Sequence, residues 1–136
     1  MKTNIEDIEK IVAVAVWADG EFAEVEKIVV SEVAKAIEAD ETTFVKNIEK
    51  LASEFENEDA VNNMLEKAAA NVADEDVAGV IAIAIQVILA DGTFSHSEAE
   101  NLLAITDALG ADEADVLLLV ADALKDEEDI EIDLEN

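Results

Sequence analysis

The chain has 136 residues, 51% of them apolar, and its 35 acids against 8 lysines, with no arginine, give a formal charge of −27. That length sets one domain, able to bury roughly 68–70% of its unfolded surface, and that charge turns it away from DNA, RNA and anionic membranes and toward cations or a basic protein partner. There is no cysteine, which excludes disulfides, thiolate metal sites and a cysteine nucleophile.

The periodicity is helical nearly throughout, and no proline interrupts it. Met1-Lys2-Thr3-Asn4 runs straight into an amphipathic pattern without the apolar block of a signal peptide, so the expected location is cytoplasmic. Thr3-x-x-Glu6 has the form of a capping box for a first helix over about 5–18, with Ile5, Ile8, Val12, Ala15 and Val16 as its buried stripe. Asp19-Gly20 ends it, the glycine suiting a left-handed stop. A second helix is expected over about 23–38, with Val25, Val29, Val33 and Ile37 on one face. Asp40 caps a third (Phe44, Ile48, Leu51, Phe55), and Asn57 opens a fourth, the connector 57–72, with Val61, Leu65, Ala68 and Val72.

From Asp74 the pattern restarts. A helix over about 75–90 is apolar on most sides and belongs at the centre of a bundle. Its strongest run, Val80 to Ala90, is too short to span a bilayer, so no membrane insertion is expected. Ser95-x-x-Glu98 is a capping box for a helix over 96–109, ended by Leu109-Gly110, and Asp112 caps the last, with Val116, Leu119, Val120, Ala123 and Leu124. The expectation is an all-α, seven-helix bundle: two pseudo-repeats of three helices, about 5–56 and 75–125, joined by a connecting helix, within a domain of residues 1–125. Residues 126–136, nearly all acid with Ile130, Ile132 and Leu134 interleaved, read as a mobile tail.

The repeat is visible residue by residue. Ala18-Asp19-Gly20-Glu21-Phe22 returns as Ala90-Asp91-Gly92-Thr93-Phe94, Glu26 returns as Glu98, and Ala39-Asp40-Glu41 returns as Ala111-Asp112-Glu113, all at an offset of 72. A register kept this long without insertion points to duplication of one structural unit. Each turn reads Asp-Gly-x5-Glu, the second half of a calcium-loop signature. The first half is missing, because Ala15 and Trp17, or Val87 and Leu89, stand where carboxylates would be, and this excludes an EF-hand.

Two readings of the turns stand side by side. In one, Asp19, Glu26, Asp91 and Glu98 are oxygen ligands for a divalent cation, Ca²⁺ or Mg²⁺, which would relieve the conflict of an aspartate at the negative end of a helix. In the other, Asp-Gly merely ends a helix and the glutamates occupy a first turn that favours acids, Glu98 serving Ser95 as a box partner. Phe22, Phe94 and Trp17 read as core anchors, and His96 as a solvated residue at a helix start.

Other chemistry is excluded by what the chain lacks. A di-iron bundle needs Glu-x-x-His on two helices, and there is one histidine. There is no P-loop, no Gly-x-Ser-x-Gly and no Asp-Ser-Leu of the kind that acyl carriers share. The expected protein is not an enzyme and holds no organic cofactor.

The Ala-Asp-Gly-x5-Glu turns and the Ala108-Leu109-Gly110 helix end resemble the tellurite-resistance TerB and TerB-like family. The match covers about residues 5–125 and is best from Ala90 to Glu98; Ile37-Glu38 stands where the first copy would have Leu-Gly. The resemblance implies an all-α fold of seven helices with internal duplication and a role in metal-stress or phage-defence gene sets as a metal-sensing or scaffold module at the inner membrane surface. It also implies cation ligands at Asp19, Glu26, Asp91 and Glu98. The alternatives are an acidic mimic of nucleic acid that inhibits a basic protein, or a structural component of a larger assembly such as a virion.

Overall fold

In the computed structural model the described residues are 2–17, 22–91, 93–126 and 131–133. They form an all-α bundle of seven α-helices: α1 (Ile5–Trp17), α2 (Glu24–Ala36), α3 (Glu41–Glu54), α4 (Glu58–Ala70), α5 (Val77–Ile88), α6 (His96–Leu109) and α7 (Glu113–Asp126). Short 3-10 turns at Asp74–Asp76 and Leu89–Asp91 flank α5. Shifting the bounds of α1, α2 and α3 by 72 puts them within one residue of those of α5, α6 and α7.

Local chemistry sets most of the starts. Asp40 accepts the Thr43 amide at 2.9 Å and Asn57 that of Ala60 at 2.9 Å. Ser95 accepts the Glu98 amide at 3.2 Å, and Asp112 accepts that of Ala114 at 2.9 Å. Each satisfies an amide that the helix itself leaves unbonded. Thr3 departs from the expected capping box. Its backbone amide and hydroxyl both donate to the Asp76 carboxylate, at 2.9 and 2.6 Å, and its hydroxyl accepts the Ala73 amide at 3.0 Å. A nearly buried carboxylate claims the donor, so Thr3 ties the chain start to the 3-10 turn before α5 instead of capping α1.

The ends of α2 and α6 share one geometry. The Ala39 amide reaches the Ala34 carbonyl at 2.8 Å and the Ala111 amide the Thr106 carbonyl at 3.1 Å, the closing bond of a Schellman end in both cases. The residue between lies in the left-handed region each time: Glu38 at φ 61° and Gly110 at φ 70°.

Two helices form the centre. α1 packs against α3, α4, α5 and α6, while α5 packs against α1, α2, α6 and α7. The sequence marks α5 as central; α1 is equally so, with Ile8, Ile11, Val12, Ala13, Val14, Ala15 and Val16 all buried. Phe44, Ile48, Leu65, Ile81, Ile88 and Ile105 fill the space around them. Trp17 and Phe55 meet edge to face, 6.3 Å between centroids.

One feature is not helical. Thr93–Ser95 (β1) pairs in parallel with Glu131–Asp133 (β2), Phe94 lying opposite Ile132. Part of the acidic tail therefore returns to the segment that follows the second Asp-Gly turn. Among the described residues no helix is long and apolar enough to cross a membrane.

Candidate functional site: the two acidic turns

Glu26 and Glu98 sit in the first turns of α2 and α6, and each is only 1% exposed. The buried stripe of α2 is Glu26, Val30, Val33 and Ala34, and that of α6 is Glu98, Leu102, Ile105 and Thr106. These are the same four positions, 72 apart. A glutamate therefore heads the core-facing stripe of each helix, while Val25 points to solvent at 42% exposure. The valine stripe expected from the sequence is rotated by about one residue.

The carboxylates are held the same way. Glu26 Oε1 accepts the Ala23 amide at 2.9 Å, and Glu98 Oε1 accepts the Ser95 amide at 3.0 Å. In α6 this is half of a reciprocal box with Ser95; in α2 the cap residue is Ala23, which has no hydroxyl, so only the glutamate's half forms. The positive end of the helix dipole favours an anion at this depth. A carboxylate has about four lone-pair sites and can serve more than one partner.

The 3-10 turn Leu89–Asp91, which leads into the second Asp-Gly turn, packs against α2, the helix that follows the first. Reciprocally, α1 packs against α6, and Asn101 Nδ2 donates to the Val14 carbonyl at 2.6 Å. Asp19 and Gly20 lie outside the described residues, as do Gly92 and the side chain of Asp91. Among the described residues no group of three or more histidines and acids is poised to share an ion. The donor set proposed from the sequence is oxygen-only and suits a hard divalent cation; of its four members, the two glutamates have described side chains.

Among the described residues three other acids are buried that sequence patterning left unremarked: Asp7, Glu9 and Asp76. Glu9 Oε2 accepts from Asn47 Nδ2 at 2.9 Å, and Asp7 Oδ1 from Asn71 Nδ2 at 3.4 Å. Burial pushes the Glu9 carboxyl above its usual range, against the Asn47 bond that lowers it, with Glu6 nearby adding a further rise. The Thr3 hydroxyl and then the Thr3 amide hold Asp76 below the usual carboxylate range. The signal that could have found Asp7 and Glu9 is the apolar run Ile11–Trp17 in the same helix, which marks α1 as a central helix, buried continuously from Ile11 to Val16.

The aromatic and histidine readings are met in part. Trp17 and Phe22 pack against the core, with Lys27 Nζ 5.7 Å from the Phe22 ring centroid. Phe94's side chain lies outside the described residues. His96 is at the surface, its Nε2 2.9 Å from Glu100 Oε1 one turn on. Family models, curated protein sequences and solved structures were compared with the chain, and none matches it.

Proposed function

We propose that this chain is a TerB-like, non-enzymatic helical module that binds a divalent cation, Ca²⁺ or Mg²⁺, through its Asp-Gly turns and works by engaging a basic protein partner. Asp19 with Glu26 and Asp91 with Glu98 would hold the ion. The observation that carries this reading is the matched burial of Glu26 and Glu98, each 1% exposed and each following an Asp-Gly pair at the same spacing in the sequence. Removing a carboxylate from water is costly, and a cation beside it would offset part of that cost. The formal charge of −27 raises the local concentration of cations in any case.

The coincidence of helix bounds and helix-end geometry at a 72-residue offset supports duplication of a three-helix unit, the organisation that the TerB resemblance implies. That resemblance also gives the module its proposed place in stress response, acting at the inner membrane surface from the cytoplasmic side without insertion. Thermal denaturation of metal-free protein tests the cation reading. Millimolar CaCl₂ is expected to raise the melting temperature beyond NaCl of equal ionic strength. Equal shifts from the two salts would leave only charge screening and remove the site.

A further inference from the structure

The last helix carries two apolar faces, and only one is used. Val116 is buried, with Leu119 and Val120 half-buried against the core. On the other side Ala114, Leu117, Leu118 and Ala121 are all exposed, Leu117 at 68% and Leu118 at 66%. Their spacing is i, i+3, i+4, i+7, one continuous stripe along the helix. The chain contains its own control, because the same positions 72 residues earlier lie on α3. There they read Thr42, Val45, Lys46 and Glu49, with Val45 half-buried against the core and Glu49 paired to Lys27 at 3.1 Å. A solvent face that is mostly polar and charged in α3 is entirely apolar in α7.

The described charges beside this stripe, Asp115 and Asp122, are acidic and exposed, and Lys125, near the C-terminal end of α7, is the one lysine or arginine in the sequence after Lys67. A second copy of the chain docking here would bring acids against acids. The apolar surface fits a helix's apolar face, and the rim selects for positive charge.

We propose that the outward face of α7, centred on Leu117 and Leu118, is a docking surface for a cationic amphipathic helix of a partner protein. The proposal extends the partner half of the function proposed above and does not involve the cation ligands, so its test is run in chelator, where failure here and failure to bind calcium are seen separately. The probe is a synthetic leucine–lysine helical peptide with leucine at i, i+3, i+4 and i+7, compared with a scrambled peptide of the same composition at about 0.15 M salt.

The helical peptide should bind the full chain about tenfold or more tighter than the scramble, since each leucine buried at the contact adds apolar transfer energy. Leu117→Gln with Leu118→Gln should remove that advantage without altering the melting temperature, because neither side chain is in the core. Asp115→Asn with Asp122→Asn should flatten the salt dependence while the preference for the helical peptide over the scramble remains. Equal binding of helix and scramble, undiminished binding by the leucine double variant, or a wild-type dimer that this variant dissolves would each overturn the proposal.

Discussion

Glu38 and Gly110 hold the same left-handed backbone, φ 61° and 70°, at the ends of α2 and α6. The surrounding hydrogen bonds match, yet only one position has the residue suited to it. A side chain in this region costs about 1–2 kcal/mol, and a glycine loses roughly 0.5–1 kcal/mol more chain entropy on folding. Glu38→Gly is therefore expected to stabilise by ~0.5–1 kcal/mol, helped by removal of an anion from a helix C-terminus. Gly110→Ala should destabilise by about 1 kcal/mol through backbone strain alone, since a Cβ there meets nothing within 4 Å. Urea denaturation midpoints of the two variants check both signs.

The buried glutamates give a second test. Glu26→Ala or Glu98→Ala removes the acceptor for the Ala23 or Ser95 amide and opens space in the core, an expected loss of about 1–3 kcal/mol each. Glu→Gln keeps an acceptor oxygen in place and removes the buried charge, so in chelator it should cost less than Glu→Ala. Chemical denaturation of the four single variants measures the difference.

Two acids bend the pH profile in opposite directions. Asp76 is depressed by its Thr3 bonds, so the stability it contributes is present above the ordinary carboxylate range and is lost as pH falls through its folded value. Glu9 is raised by burial; its charged form weighs against folding at neutral pH, and that penalty is relieved as pH falls through its folded value toward the ordinary one. Asp76→Asn should flatten the acid limb and lower stability at neutral pH. Glu9→Gln, which keeps an oxygen for Asn47, should raise stability at neutral pH and erase the gain on mild acidification. Denaturation midpoints across the acidic range distinguish the two.

Self-repulsion among 35 acids and 8 lysines is a third, global term. Raising NaCl from low to physiological strength shortens the screening length from ~30 to ~8 Å, and the melting temperature should rise with it. A flat response would mean that fixed ion pairs such as Lys27–Glu49 and Lys2–Glu75 already balance the field.

The helices and most of their caps were legible in the sequence because the signals are local. Asp40, Asn57 and Ser95 each act within three residues of themselves. The faces were less legible. Val25 and Val29 outrank Glu26 on any hydrophobic scale, yet Glu26 takes the core position because a nearby amide and the helix dipole accept a carboxylate there. Thr3 had a local role on offer and was claimed by Asp76, 73 residues away, which no local pattern reveals. In α7, helical spacing marked Val116, Leu119 and Val120 as inward, as they are, while the side chains of Ala123 and Leu124 lie outside the described residues; the spacing could not show that Leu117 and Leu118 would remain uncovered. Of the candidate site, sequence alone located the paired glutamates and their 72-residue register; it did not reveal how deeply they are buried.

The central claim is that the duplicated turns hold a cation, and calorimetric titration of metal-free protein with Ca²⁺ at about 0.15 M salt tests it most directly. Saturable binding is expected, weakened separately by Asp19→Asn and Asp91→Asn and by Glu26→Gln and Glu98→Gln. No saturable heat at millimolar calcium, or binding that none of the four substitutions alters, would contradict it.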